Sequence, residues 1–185
     1  MKRFFIFVGV MLFASASVAS DKDLKEFIWT NKASFHKSSS KTISPVIDSL
    51  LELNSGGTEK FLLRWLNKEL WFRKSDGLVV TAKKLEKKSY KIFDVIDEQL
   101  IEVIDKKKIK QIKPNSGVRA IISSALVQFQ LLNADPSIRS KTLDSIARKP
   151  EEKLRVPLRK AIEKENNLKI KNRMIRLEKL LTVRF

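Results

Sequence analysis

The spacing of apolar residues changes twice along this 185-residue chain, and those changes limit what it can fold into. Val46, Ile47, Leu50, Leu51 and Leu53 follow Ser44-Pro45 at helical spacing, with proline tolerated in the first turn. Asn54-Ser55-Gly56-Gly57 stops that helix. Thr58, followed by Glu59, reads as the cap of a second helix with the stripe Phe61, Leu62, Trp65 and Leu66, antiparallel to the first. At Leu70 the pattern turns β-prone: residues 70–74 (LWFRK) and 78–81 (LVVT) flank Ser75-Asp76-Gly77, a strong hairpin signal. From Ser116 the pattern is helical to the end. The expected fold is therefore mainly α, with short helices, a small antiparallel β-hairpin region, and a helical C-terminal part.

Residues 90–94 and 99–103, beyond a lysine-rich loop, suit a second hairpin. Their apolar positions also fit a helix, but their β-branched content favours strands. A short helix is expected over residues 21–32 and a loop over 37–41. Val118, Ile121, Ile122, Ala125, Leu126, Phe129 and Leu132 form one amphipathic stripe. Asp135 as N-cap and Pro136 at the first position open the next helix, in which Ile138, Leu143 and Ile146 should face inward. Lys149-Pro150 breaks it, and two further helices follow, separated at Asn166-Asn167. At an offset of 32 Leu126 matches Leu158, Ile138 matches Ile170, and Leu143 matches Ile175. Such a unit suits a helical solenoid, and an ordinary helical bundle fits the spacing equally well.

The first residues, MKRFFIFVGVMLFASASVAS, have the layout of a secretory signal peptide: Lys2 and Arg3, an apolar run over residues 4–14, then small side chains. Cleavage is expected after Ala19, with Ser20 second and an uncleaved anchor as the alternative. The expected location is periplasmic, with association to the inner membrane open. No cysteine is present, so disulfides, thiolate metal sites and a cysteine nucleophile are excluded. Net charge is +17, of which only Lys2 and Arg3 lie in the leader. That balance attracts anionic lipid, envelope polymer or an acidic partner face. Export disfavours nucleic acid, and so does the lysine excess of 27 over 11 arginines.

Catalytic constellations are missing. His36, the one histidine, reads as a surface residue, and a zinc site has too few ligands. No Ser stands on a G-x-S-x-G elbow, and Gly56-Gly57 and Gly77 lack a phosphate-binding fingerprint. Asp94, Asp97, Glu98, Glu102 and Asp105 could serve acid/base chemistry or a hard cation, but a solvated hairpin edge accounts for them better. No enzyme, cofactor or metal is expected.

Three segments carry a resemblance: residues 66–80 (LNKELWFRKSDGLVV), 107–122 (KKIKQIKPNSGVRAII) and 133–139 (NADPSIR). In that order they resemble the N-terminal extracytoplasmic region of the permease subunit of urea-type ABC transporters, in the branched-chain amino-acid transporter class. Trp71, Phe72, Arg73, Lys74, Asp76 and Gly77 match that family's aromatic-Arg-Lys-x-Asp-Gly hairpin. Lys108, Ile109, Lys110, Asn115 and Arg119 match its basic lead-in to a helix, although Pro114-Asn115-Ser116-Gly117 departs from the paired asparagines. Asp135, Pro136 and Arg139 match the start of its HEAT-like repeats.

The resemblance implies a signal peptide (1–19), an N-terminal helical segment (21–69), a hairpin region (70–113) and a HEAT-like helical region (114–185). It implies a role in urea uptake through contact with the permease core or the periplasmic substrate-binding protein. The family's membrane bundle is not in this sequence. A truncated or split permease and a free-standing ectodomain relative are therefore both expected forms. A free-standing basic adaptor on an anionic membrane surface or envelope polymer is the alternative.

Overall fold

The computed structural model describes residues 20–185, so the leader expected over residues 1–19 lies outside them. Ser20 opens the described chain as the N-cap of α1 (Asp21–Thr30): its hydroxyl accepts from the Asp23 N–H, and the Asp23 carboxylate accepts from the Ser20 N–H (2.7 Å). This reciprocal capping box satisfies two of the free donors that every helix start leaves. The helices α2 (Lys32–His36), α3 (Ser44–Glu52) and α4 (Thr58–Leu66) follow. Thr58 does not cap α4. It is the first helical residue and buried, with Gly57 at the N-cap in front of it, and among the described residues its hydroxyl has no partner. Nor do α3 and α4 rely chiefly on each other; both pack on a later helix, α5 (Ser116–Gln130).

The β-prone stretch forms one sheet rather than two separate hairpins. Its strands are β1 (Leu70–Arg73), β2 (Val79–Lys84), β3 (Ser89–Asp94), β4 (Leu100–Asp105) and β5 (Ile109–Gln111), all antiparallel, in the order β4-β3-β2-β1-β5. β2 and β3 pair across the lysine-rich loop, from Val80 opposite Asp94 to Lys84 opposite Tyr90. β4 and β5 are consecutive in the chain yet sit at opposite edges, joined only by the 3-10 turn Lys106–Lys108. Four strand spacings in a flat sheet would be about 19 Å, more than the roughly 14 Å that this link can reach. The sheet must therefore curl. The link touches both ends of the curl: the Lys106 N–H donates to the Lys88 carbonyl and the Lys74 N–H to the Lys108 carbonyl, each at 2.8 Å.

Period-2 alternation then separates two apolar layers. Val80, Tyr90, Ile92, Ile104 and Ile109 fill the inside of the curl with Trp71 and Leu78. Leu70, Val79 and Phe72 point outward and join Leu24, Phe35, Ile47, Leu50, Phe61, Trp65 and Ile122 in the main core.

A second core lies among α6 (Pro136–Arg148), α7 (Arg155–Lys164) and α8 (Leu168–Arg184), around Leu143, Leu158 and Met174. Leu143 and Ile146 face inward as the spacing predicts, whereas Ile138 is 37% exposed beside the helix start. Pro157 falls in the first turn of α7, where its missing N–H costs no helical bond. Asn115 caps α5 by accepting from the Val118 N–H at 2.9 Å. Replacing it with Ala should lower the unfolding free energy by about 1 kcal/mol in urea titration.

Candidate functional site

The residues of the first motif build a turn. The Gly77 N–H donates to the Arg73 carbonyl (2.8 Å) and the Arg73 N–H to the Leu78 carbonyl (2.9 Å). Gly77 has φ +76, and Asp76 Oδ1 accepts from the Leu78 N–H at 3.1 Å. The Arg73 guanidinium grips Asp76 through Nε (3.1 Å) and Nη2 (2.7 Å), and its third nitrogen reaches Glu102 on β4. That fork holds the Asp76 carboxyl below the usual carboxylate range. Arg73 thus ties the hairpin tip to a strand on the other side of the curl. An added Cβ at Gly77 would lie 3.0 Å from His36 Cε1, on a backbone conformation L-residues avoid. Gly77→Ala should cost about 1–2 kcal/mol, read as a lower midpoint in thermal or urea unfolding.

His36 is no plain surface residue. Its ring stacks on Phe72 with centroids 4.0 Å apart and planes 19° apart, and Nε2 is buried with no partner among the described residues. Burial pushes its pKa below the ordinary imidazole value, outweighing the Gly77 backbone, which favours the charged ring, and the Lys32 ammonium pushes downward with burial.

Beside this stack runs a groove of about 710 Å³ along β5. Trp71, Phe72 and Tyr90 give it aromatic walls, Trp71 and Tyr90 being 5.4 Å apart. Lys37, Lys106, Lys110 and Lys113 form its rim, and among the described residues no carboxylate lines it. The sequence reading missed this groove because it treats residues 107–113 as a lead-in to a helix. Buried Ile109 and Ile112 stand three residues apart, so no period-2 alternation in the sequence marks a strand there. Lys74 shares the rim of the hairpin through its backbone bond to Lys108, and Arg119 lies exposed on the first turn of α5.

The carboxylates at the β3–β4 turn form no isolated solvated edge. Lys25 of α1 bridges Asp94 (3.1 Å) and Asp97 (2.6 Å), while Lys60 and Arg64 of α4 both meet Glu98. These pairs fasten the turn to the helical layer, and the Lys25 ammonium holds the Asp97 carboxyl below its ordinary pKa. Among the described residues no group of three potential ligands could hold a metal ion.

The third motif lies at the other end of the molecule. The Asp135 side chain caps α6 at the Ser137 N–H (2.8 Å), ahead of Pro136. Arg139 meets Glu165 through two nitrogens (2.6 and 3.0 Å), and its Nη1 donates to the carbonyls of Asn133 (2.6 Å) and Ala134 (2.9 Å). The Glu165 side chain is 2% exposed. Burial works to raise its pKa, but Arg139 and the Asn167 N–H outweigh it and leave the carboxyl below its ordinary value. A cavity of about 670 Å³ opens beside this fork. Four of the five guanidinium donors are already matched, so the fork serves as a joint between two helix turns rather than as a ligand clamp.

No helix among the described residues is long and apolar enough to cross a membrane. No protein-family model matches the chain, and comparison with curated proteins and with solved structures gives no significant match.

Proposed function

We propose that the chain is the extracytoplasmic region of a urea-type ABC transporter permease subunit, whole or as a truncated or split form, and that it acts in urea uptake by protein–protein contact rather than by catalysis. The observation that carries this reading is the pair of turns at offset 32. At the first, Asn133 Oδ1 accepts from the Asp135 N–H (2.9 Å) and Asp135 accepts from Ser137. At the second, Glu165 Oε1 accepts from the Asn167 N–H (2.8 Å) and Asn167 accepts from Lys169 (3.1 Å). Each partner lies 32 residues beyond its counterpart. A shared hydrogen-bond frame at the offset of the apolar match supports two HEAT-like units, α5 with α6 and α7 with α8. The Arg139–Glu165 fork joins them, and Arg173 of α8 reaches Ser140 (2.7 Å) and Asp144 of α6.

Further support is that each resembling segment forms a hydrogen-bonded joint: the Arg73–Asp76–Gly77 turn, the Asn115 cap and the Asp135-Pro136-Arg139 corner. The test is capture of the tagged full chain from envelopes of cells expressing the urea transporter, with mass-spectrometric identification. Recovery of the permease core or the urea-binding protein above an untagged control is expected. Clean recovery of the chain with neither subunit would sink the proposal.

A further inference from the structure

Among the described residues β5 is an edge strand that pairs with β1 alone. Lys108 and Ile112 bond inward to Lys74 and Leu70, at 2.8 Å each. By the alternation of an antiparallel ladder, Lys110 bonds inward as well, while the backbone groups of Ile109 and Gln111 point away from β1. The Ile109 N–H is taken by the Lys106 carbonyl. Its carbonyl and both backbone groups of Gln111 are left on the groove side, where an added strand can use them.

The side chains around that edge select for charge. Lys37, Lys106, Lys110 and Lys113 are exposed, and among the described residues none of them enters an ion pair. Other lysines of the fold, Lys25 and Lys60, are spent on carboxylates of the β3–β4 turn. Lysines spread along an edge suit carboxylates spaced along an extended chain, whereas compact phosphate recognition favours arginine's fork. Trp71 and Tyr90, on one face of the sheet, flank the same edge with aromatic surface for apolar side chains.

We propose that this groove binds an extended acidic polypeptide segment of a partner protein. The segment adds as a strand on the free edge of β5, with its carboxylates toward the lysines and its alternate apolar side chains on the opposite face, against Trp71 and Tyr90. This is strand addition, in which backbone bonds supply affinity and flanking pockets supply selectivity. It does not rest on the transporter reading, since the groove would recognise the chemistry in any partner.

The test is fluorescence anisotropy of the full chain with a labelled eight-residue peptide of alternating Glu and Val. Three comparison probes are the Lys/Val counterpart, the Glu/Val peptide N-methylated at alternate amides, and phosphatidylglycerol vesicles. Expected is saturable binding of the Glu/Val peptide that weakens with salt, at least about tenfold weaker binding of the N-methylated form, and none of the Lys/Val form. Lys110→Glu with Lys113→Glu should remove binding while leaving the circular dichroism melt in place, because both side chains are exposed. Lys141→Glu with Lys160→Glu, on the helical half, should leave it intact. Equal binding of the N-methylated peptide overturns strand addition. Equal loss with the helical-half variant overturns the groove in favour of bulk charge. Vesicle binding without peptide binding overturns the peptide in favour of a membrane surface.

Discussion

Replacing Arg139 with Met should lower the unfolding free energy by about 3–5 kcal/mol at neutral pH, the usual cost of removing one partner of a buried pair. Glu165 then stays almost fully buried with a charge and no cation, and the Asn133 and Ala134 carbonyls lose their donor. Glu165→Gln should cost less, because the amide oxygen still accepts from Arg139 and the guanidinium keeps its two carbonyls. The pH dependence discriminates further. In the native protein Glu165 has a depressed pKa, so its contribution is complete above the unfolded-state value of about 4.3 and is lost as pH falls through the folded value. In Arg139→Met the buried carboxyl is pushed upward instead and takes a proton more readily. The gap between the two proteins should therefore be widest near neutrality and narrow as pH falls toward about 4. Urea titrations at several pH values measure it; a gap that stays constant with pH would refute this account of the joint.

Phe35→Ala should cost about 3–5 kcal/mol, as expected for an aromatic fully removed from water. Phe35 meets Phe61 and Trp65 edge-on, both at 5.3 Å between centroids, and is 0% exposed. It stands on α2, a helix of five residues with no side-chain cap, so packing rather than propensity keeps that segment in place. His36 follows directly and carries the stack on Phe72. The variant should lose stability and also loosen one wall of the groove. A melt within about 1 kcal/mol of the native protein would mean that α2 is not a cornerstone of the core.

Regular elements were the legible part of this fold. Apolar spacing marks α3, α5 and α8, and Asp76-Gly77 marks the hairpin, because each signal lies within a few residues. What escaped is nonlocal. Nothing near Ile109 announces that its partner is Arg73, thirty-six residues earlier, or that a three-lysine turn closes a curled sheet. Thr58 looked like a cap because hydroxyls favour that position, but the glycine before it takes the turn and tertiary packing buries the hydroxyl. His36 looked solvated because its neighbours in sequence are polar. Its neighbours in space are Phe72 and Gly77, and only the folded hairpin brings them there. The groove was hidden for the same reason: its lysines and aromatics come from four stretches of chain.

Helix α5 contributes Val118, Ile122 and Leu126 to the core shared with the sheet, while Val127 and Leu131 at its other end belong to the core of the last three helices. One rod therefore serves two hydrophobic bodies. Neither body can come apart without baring one side of the same helix, so the two should melt together. The amides in the middle of α5 should be among the slowest in the molecule to exchange with deuterium. The short span from β5 through buried Ile112 to the Asn115 cap makes the groove edge and this rod mechanically continuous.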